Sequence, residues 1–260
     1  MSSAVLAALT AVVIWWVSTG VILVLDGLPR RTFPRSMSVA TGLLGLALFG
    51  VAHVSNDPAP VAAYVGFGCA IVIWGWLEMS FLMGYLTGPR RRGCHSGCAG
   101  WRHWVHAVAA ILYHELAIIA LTVTAFALSW TGGNQLAAQA LLLLWGLRAS
   151  AKLNLFLGVR NLSIELLPES LSYLGSYFRK RPLNFLFPVS VTAGSVLTAF
   201  LVRKLLLPGI SDFDLTGYSL LATLAALGVL EHWMLVLPIP NLWGPSARGS
   251  LQPCSRRSRA

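Results

Sequence analysis

Seven long apolar stretches divide this 260-residue chain, and they constrain its fold more than any other feature. A helix that crosses a bilayer needs about 20 predominantly apolar residues, because each residue adds about 1.5 Å of length. Only 11% of the residues are charged, against about a quarter in an ordinary soluble domain. The sequence therefore predicts an all-α, multi-pass membrane protein with about seven transmembrane helices. The stretches cover residues 4–25, 36–54, 61–86, 105–129, 135–157, 184–207 and 215–237.

One transmembrane domain is expected to account for most of the chain. We expect residues 1–241 to form this helical domain and residues 242–260, which are polar and basic, to be a disordered cytoplasmic tail. The first apolar stretch lacks a basic leading region and a small-residue cleavage site. We therefore expect it to be retained as a helix rather than removed as a signal peptide.

The basic residues are distributed unevenly between alternate loops. The first, third and fifth loops and the C-terminal tail carry 15 lysines and arginines, whereas the opposite side has only Arg203 and Lys204. Cytoplasmic loops are the ones enriched in basic residues, so we predict a periplasmic N-terminus and a cytoplasmic C-terminus. Because the basic residues form short clusters between apolar stretches, the net charge of +10 does not indicate nucleic-acid binding.

The loop between the fifth and sixth predicted helices has helical periodicity of its own. Pro168 is placed to begin a helix, and apolar residues repeat at helical spacing after it, at Leu171, Leu174 and Phe178. We expect a short interfacial helix on the membrane surface, although the same surface would also suit a protein partner.

Ionisable residues interrupt four of the apolar stretches. Each would cost about 2.5–3.5 kcal/mol at the bilayer centre unless it were shielded. From the rise per residue, we estimate that they all lie roughly 8–17 Å from the cytoplasmic ends of their helices. We therefore predict one polar interior, in which Arg148 and Lys152 hold the His-Glu and Glu-His pairs. The predicted cluster consists of Glu78, His114, Glu115, Arg148, Lys152, Glu231 and His232, with Asn154 beside them.

Several roles remain open for this cluster. It would fix the helix register as a buried ion-pair network, or His114 or His232 would ligate the metal of a tetrapyrrole. A two-metal site is disfavoured, because adjacent His and Glu residues point about 100° apart on a helix. A proton relay is disfavoured because the sequence has no internal repeat. The aromatic residues that would line a tetrapyrrole pocket are Trp74, Trp76, Tyr113, Trp145 and Trp233.

A second set of candidate ligands lies between the third and fourth helices. Cys94, Cys98, His103 and His106 form a C-x3-C-x4-H-x2-H pattern, whose ligand types suit tetrahedral zinc. The middle spacing is very short for a structural zinc site. The sequence therefore favours a glycine-rich turn with reduced cysteines, followed by two histidines at the start of a helix.

The chain as a whole resembles the PuhE family of photosynthetic complex assembly proteins, found beside the reaction-centre H-subunit gene of purple bacteria. The resemblance covers nearly the whole chain apart from the basic tail. It is carried by the segments WWVSTGVILVLDGLP, WGWLEMSFLMGYLTGPRR, WRHWVHAVAAILYHELAI, LWGLRASAKLNLFLGVRNLSIELLPESLSYLGSYFRKRPLNFLFPVS and LLATLAALGVLEHWMLVLPIP.

This resemblance implies an inner-membrane protein that acts in the assembly of reaction-centre and light-harvesting complexes, or in the control of bacteriochlorophyll supply to them. The leading hypothesis is a non-enzymatic assembly factor, whose polar cluster is either purely structural or a pocket for a tetrapyrrole such as bacteriochlorophyll or a precursor. Its partners would be the lipid bilayer, subunits of those complexes and other assembly factors. The alternative is a membrane-bound, metal- or tetrapyrrole-dependent enzyme of bacteriochlorophyll metabolism. The resemblance implies no role for individual residues.

Overall fold

Seven helices follow one another in the computed structural model, which describes residues 3–95, 97–162, 164 and 167–237. All seven are long and apolar enough to cross a membrane. No strand is found in these ranges, so the prediction of an all-α, multi-pass membrane protein is confirmed. The predicted disordered tail, 242–260, lies outside the described residues. The helices are α1 (Ser3–Asp26), α2 (Phe33–His53), α3 (Pro60–Leu82), α4 (Gly100–Leu128), α5 (Leu136–Leu157), α6 (Leu186–Lys204) and α7 (Asp212–Met234).

The helix ends follow local sequence signals. Proline occupies the first turn of α2 and α3, where its missing N–H group costs nothing. At the start of α7, the Ser211 hydroxyl accepts a hydrogen bond from the Asp214 backbone N–H at 3.0 Å. Helix α5 is followed directly by Gly158, whose φ of +121° lies in a region that favours glycine and ends the helix.

Helices α3 and α7 form the centre of the bundle, and the other helices pack around them. Their buried side chains, including Phe67, Leu77 and Leu224, belong to one apolar core. The outer helices instead expose large apolar side chains such as Trp16 and Phe49. Such exposure suits a lipid solvent, in which apolar surface carries no hydration cost.

The loops at one end of the bundle contact one another. Arg30, after α1, lies 3.4 Å from Glu169, which follows α5. Arg90, after α3, donates a hydrogen bond to the Tyr177 hydroxyl at 2.8 Å. The Asn161 amide donates to the backbone oxygens of Met234 and Leu237 at the end of α7. The basic loops that were predicted to share one side of the membrane therefore lie together at the same end.

A short helix does follow α5, but it is a 3-10 helix, Glu169–Tyr177. Its buried residues, Leu171 and Leu174 among them, are spaced three apart, as the 3-10 period requires. They pack against Phe81 of α3 and Ala110 of α4. The apolar side of this helix thus faces the protein rather than standing free to enter lipid.

The predicted common depth of the charged residues is wrong. Helix α4 begins at Gly100 rather than at 105, so Glu115 lies about 22 Å along it from that end. Glu78, by contrast, lies only about 6 Å from the end of α3. These residues still meet α5 because α4, with 29 residues, extends beyond its neighbours at this end.

Candidate functional site

Two ion pairs connect α5 to its neighbours. Arg148 Nη2 lies 2.9 Å from Glu78 Oε2 on α3, and Lys152 Nζ lies 2.6 Å from Glu115 Oε1 on α4. The two cations are four residues apart and therefore project from the same side of α5. The Trp145 indole N–H donates to the other oxygen of Glu115 at 3.0 Å. Of the seven ionisable residues predicted to form one cluster, the structure brings these four together as two pairs.

The side chains of the two ion pairs are buried in the protein to different extents. Lys152 and Glu115 each keep 21% of their side-chain surface exposed. The Glu78 side chain is only 8% exposed, but that of Arg148 is 43% exposed. Because a guanidinium group does not lose its charge in a protein, the Arg148 pair presents a fixed cation to its surroundings.

Arg148 faces a cavity of about 340 Å³ between α1, α3, α5 and α7, which we call the charged groove. Its polar members include Glu78, Arg148 and Glu231, and its walls are apolar. Leu167, from the loop after α5, lies at the end that adjoins the basic loops. The wall residues are Trp15, Ile22, Leu23, Ile71, Trp74, Leu82, Leu144, Leu147 and Leu224.

Glu231 lines the charged groove and interacts electrostatically with Arg148, but the two do not form a close ion pair. Its side chain is exposed, and among the described residues it makes no ion pair within 4 Å. Of the two pairs that Arg148 and Lys152 were expected to hold, Glu115 is in contact with Lys152, whereas Glu231 has no ion pair in the described part of the chain. Arg148 pairs with Glu78 instead.

His232 belongs to a separate hydrogen-bonded network. It is 3% exposed, its Nδ1 donates to the Gly228 backbone oxygen at 2.8 Å, and its Nε2 lies 3.0 Å from Ser150 Oγ. Ser150 is also 2.9 Å from Ser190 on α6. Both ring nitrogens are thus engaged, and α7 is tied through α5 to α6.

Two asparagines continue this network. The buried Asn154 amide donates to Ser190 Oγ at 2.9 Å, and Asn184 donates to the side-chain and backbone oxygens of Asn154. The Asn184 side-chain oxygen accepts from the backbone N–H groups of Leu186 and Phe187, which begin α6. Sequence reasoning missed Asn184 and the serines, because small polar residues are common in helices and their spacing carries no distinct signal.

His114 is enclosed rather than available to a ligand. It is fully buried, and its ring packs on Phe81 with the two centroids 4.4 Å apart. Neither ring nitrogen has a hydrogen-bond partner in the described part of the chain. Its backbone N–H donates to Thr87 O at 3.0 Å, where the α3–α4 loop crosses α4.

The arrangement does not favour either histidine as a tetrapyrrole ligand. Neither His114 nor His232 lines the charged groove. Of the aromatic residues proposed for such a pocket, Trp74 does line it, whereas Trp145 and Trp76 donate hydrogen bonds to Glu115 and Thr41. Trp15, from α1, also faces the groove.

The cysteines of the α3–α4 loop and the histidines at the start of α4 do come together. His106 Nδ1 lies 3.3 Å from Cys98 Sγ and 3.7 Å from Cys94 Sγ. His103 Nδ1 lies 3.3 Å from Cys94 Sγ. Desolvation, followed by the neighbouring Cys98, raises the pKa of the Cys94 thiol above its ordinary value.

Comparisons with known proteins agree along almost the whole chain. A protein of Rhodobacter capsulatus named "Uncharacterized 30.4 kDa protein in puhA 5'region" is 36% identical over 249 residues, which are 94% of this chain and 90% of that protein. No solved structure matches the chain. The model of one protein family matches residues 1–251. The chain therefore belongs to the family described as "Protein of unknown function (DUF3623)".

Proposed function

We propose that this protein is an inner-membrane assembly factor for photosynthetic reaction-centre and light-harvesting complexes, and that it holds a bacteriochlorophyll or a precursor in the charged groove. One finding supports a photosynthetic role: the relative in Rhodobacter capsulatus carries the puhA 5' region in its name.

The observation that carries the binding role is the incomplete pairing inside the charged groove. Arg148 keeps 43% of its side chain exposed there, and the buried Oε1 of Glu78 has no hydrogen-bond partner in the described residues. Charged groups that face lipid are costly, so they usually line a site that something polar occupies. The groove thus suits a ligand with a polar edge and an apolar body.

A tetrapyrrole fits this chemistry through groups that the groove can recognise. Its carbonyl groups would accept hydrogen bonds from the Arg148 guanidinium, and Trp15 and Trp74 would contact its apolar body. The exposed Glu231 carboxylate offers an oxygen ligand, which magnesium prefers. In this proposal His114 and His232 support the bundle and do not bind the pigment.

We infer further that the groove lies in the cytoplasmic half of the membrane. The loops that carry most of the basic residues lie at the end where the groove meets Leu167. The positive-inside rule assigns such an end to the cytoplasm, which puts the N-terminus in the periplasm. The 3-10 helix Glu169–Tyr177 would then lie at the cytoplasmic interface, with its polar side towards lipid headgroups or a partner.

The test is a phototrophic strain that lacks the gene, complemented with the wild-type chain, Arg148→Met or Arg203→Met. Arg203 is an exposed arginine at the opposite end of the bundle and serves as the matched control. We expect the deletion and Arg148→Met strains to keep a normal bacteriochlorophyll pool while losing reaction-centre or antenna absorption bands. Arg203→Met should restore them.

The same strains separate this function from its alternative. Immunoblots of the membranes must show equal amounts of both variants, so that loss of the protein does not explain the result. Accumulation of one earlier tetrapyrrole would contradict the assembly role and support an enzymatic step. Normal absorption bands in the deletion strain would remove the protein from photosynthetic assembly altogether.

A further inference from the structure

The cysteines of the α3–α4 loop and the histidines of the first turns of α4 have the geometry of a metal site. Tetrahedral zinc binds sulfur at about 2.3 Å and imidazole nitrogen at about 2.05 Å, which puts a sulfur and a nitrogen ligand about 3.6 Å apart. Three of the four Cys–His pairs have sulfur–nitrogen distances near this value, at 3.3, 3.3 and 3.7 Å, and no contact joins Cys98 to His103 in the described part of the chain. The ligand atoms of Cys94, Cys98 and His106 all lie within 4.8 Å of one another.

We propose that Cys94, Cys98, His103 and His106 bind one zinc ion, which clamps the α3–α4 loop to the beginning of α4. His103 lies outside the group formed by the other three and contacts only Cys94, at 3.3 Å; in this proposal it moves in as the fourth ligand when the ion binds. Two thiolates and two imidazoles complete a tetrahedral shell, so the site is structural rather than catalytic. The two thiolates also balance the charge of the ion, so the site adds no net charge to a loop rich in arginine.

The backbone explains how such a short spacing forms a site. Gly97, between the two cysteines, has a φ of +94°, and Gly100, the first residue of α4, has a φ of +61°; both values are ones that glycine adopts readily. His103 and His106 are three residues apart on α4 and therefore share one face. The short middle spacing, from Cys98 to His103, contains the positive φ of Gly100, where the chain enters α4.

Neighbouring contacts already hold two of the ligands in place. The His103 ring stacks on Phe156 with centroids 5.1 Å apart, which fixes its orientation. The Cys94 backbone N–H donates to Ser176 Oγ at 2.9 Å, which connects the site to the 3-10 helix. Such contacts outside the ligand shell orient metal ligands and reduce the entropy lost on binding.

The first experiment measures metal in the purified full-length protein. The chain is extracted in detergent with an affinity tag that contains no histidine, and its zinc is measured by mass spectrometry. We expect about one zinc per chain in the wild type. The zinc content of the Cys94→Ser/Cys98→Ser variant should be at least about fivefold lower than that of the wild type. Cys69→Ser, which changes a half-buried cysteine of α3, is the matched control and should keep the wild-type content.

Cobalt substitution of the wild-type chain tests the site even if the cysteine variant fails to fold. Added Co²⁺ should produce the strong visible bands of a tetrahedral site and a thiolate charge-transfer band, and zinc should displace both. His106→Ala should lose these bands, while Cys69→Ser keeps them. A wild-type chain that neither contains zinc nor takes up Co²⁺ would overturn the proposal, and so would a Cys94–Cys98 disulfide in freshly isolated membranes.

Discussion

Arg148 on α5 and Glu78 on α3 form an ion pair at 2.9 Å in which the carboxylate is buried and the guanidinium stays 43% exposed. An exposed cation in a membrane span is stabilised only if polar material faces it. Glu231 lies along the same groove, without a cation within 4 Å among the described residues. The two groups together mark the side of the bundle where a polar ligand would be bound.

Glu231 should therefore matter for function more than for stability. It is exposed and makes no ion pair in the part of the chain described above, so Glu231→Gln should change the free energy of unfolding by less than about 0.5 kcal/mol. Thermal unfolding in detergent checks this. In the complemented strain, however, the same variant should reduce the reaction-centre or antenna absorption bands.

Glu78→Gln is the matched comparison for this prediction. Glu78 is buried and paired with Arg148, so its loss should lower the unfolding temperature clearly. If Glu231→Gln unfolds as early as Glu78→Gln, then Glu231 has a structural partner and the functional assignment fails.

The Lys152–Glu115 pair should be strongly coupled. Lys152→Met alone would leave the Glu115 carboxylate in the bundle without its cation, and should cost about 3–5 kcal/mol of unfolding free energy. Lys152→Met combined with Glu115→Gln removes both charges and should recover much of that loss. Unfolding of the two single variants and the double variant in detergent measures the coupling. A double variant no more stable than Lys152→Met would show that the two residues act independently.

Asn184 should be the most important single polar residue outside the ion pairs. It holds the end of α5 through Asn154 and Gly158, and it caps the first turn of α6. Asn184→Ala removes the cap and leaves buried carbonyls unpaired, which should cost about 2–4 kcal/mol of stability. Asn56→Ala, at an exposed loop position, should cost less than about 0.5 kcal/mol in the same unfolding assay. Equal losses would contradict the importance of this network.

Hydropathy alone predicts the seven spans, because length and apolar composition are local properties of a sequence. The spacing of Arg148 and Lys152 predicts in addition that they share a face of α5, since four residues make about one helical turn. Neither hydropathy nor spacing predicts which carboxylates these two cations contact. Arg148 pairs with Glu78 and not with Glu231 because the neighbours and rotations of α3 and α7 are decided by packing across the whole bundle.

One error of the sequence analysis has a local cause. The depth estimate failed because α4 begins at Gly100 and extends beyond its neighbours, which hydropathy does not register in a polar helical turn. The expected glycine-rich turn with reduced cysteines agrees with the free Cys94 and Cys98 and with the positive φ angles of Gly97 and Gly100. What the spacing could not show is how close these side chains come to one another, because that depends on backbone geometry.

The proposed orientation can be measured with reporter fusions. With a cytoplasmic C-terminus, green fluorescent protein fused after residue 260 should fluoresce and alkaline phosphatase at the same point should be inactive, because that enzyme needs the oxidising periplasm for its disulfides. Alkaline phosphatase fused after Gly209, in the α6–α7 loop, should be active. The reverse pattern would invert the topology and move the charged groove to the periplasmic half.

The α3–α4 loop passes so close to the α4 backbone that a side chain at Gly88 should not be tolerated. Thr87 O accepts a hydrogen bond from the His114 backbone N–H, and Arg90 N donates to Ala109 O. A Cβ at Gly88 would overlap Ala109 O and lie 2.6 Å from Ala110 C. Backbone atoms cannot rotate away, so Gly88→Ala should cost about 1–3 kcal/mol or more in detergent unfolding.

Gly42→Ala is the control for this substitution, because nothing lies within 4 Å of a Cβ built at Gly42 on α2. Replacing a helix-interior glycine with alanine there should be neutral or stabilising by about 0.5–1 kcal/mol. Gly88→Ala should also make the loop more sensitive to limited proteolysis near the arginines that follow it, since the loop would be lifted from α4. Equal stability of the two variants would mean that the loop does not lie against the α4 backbone.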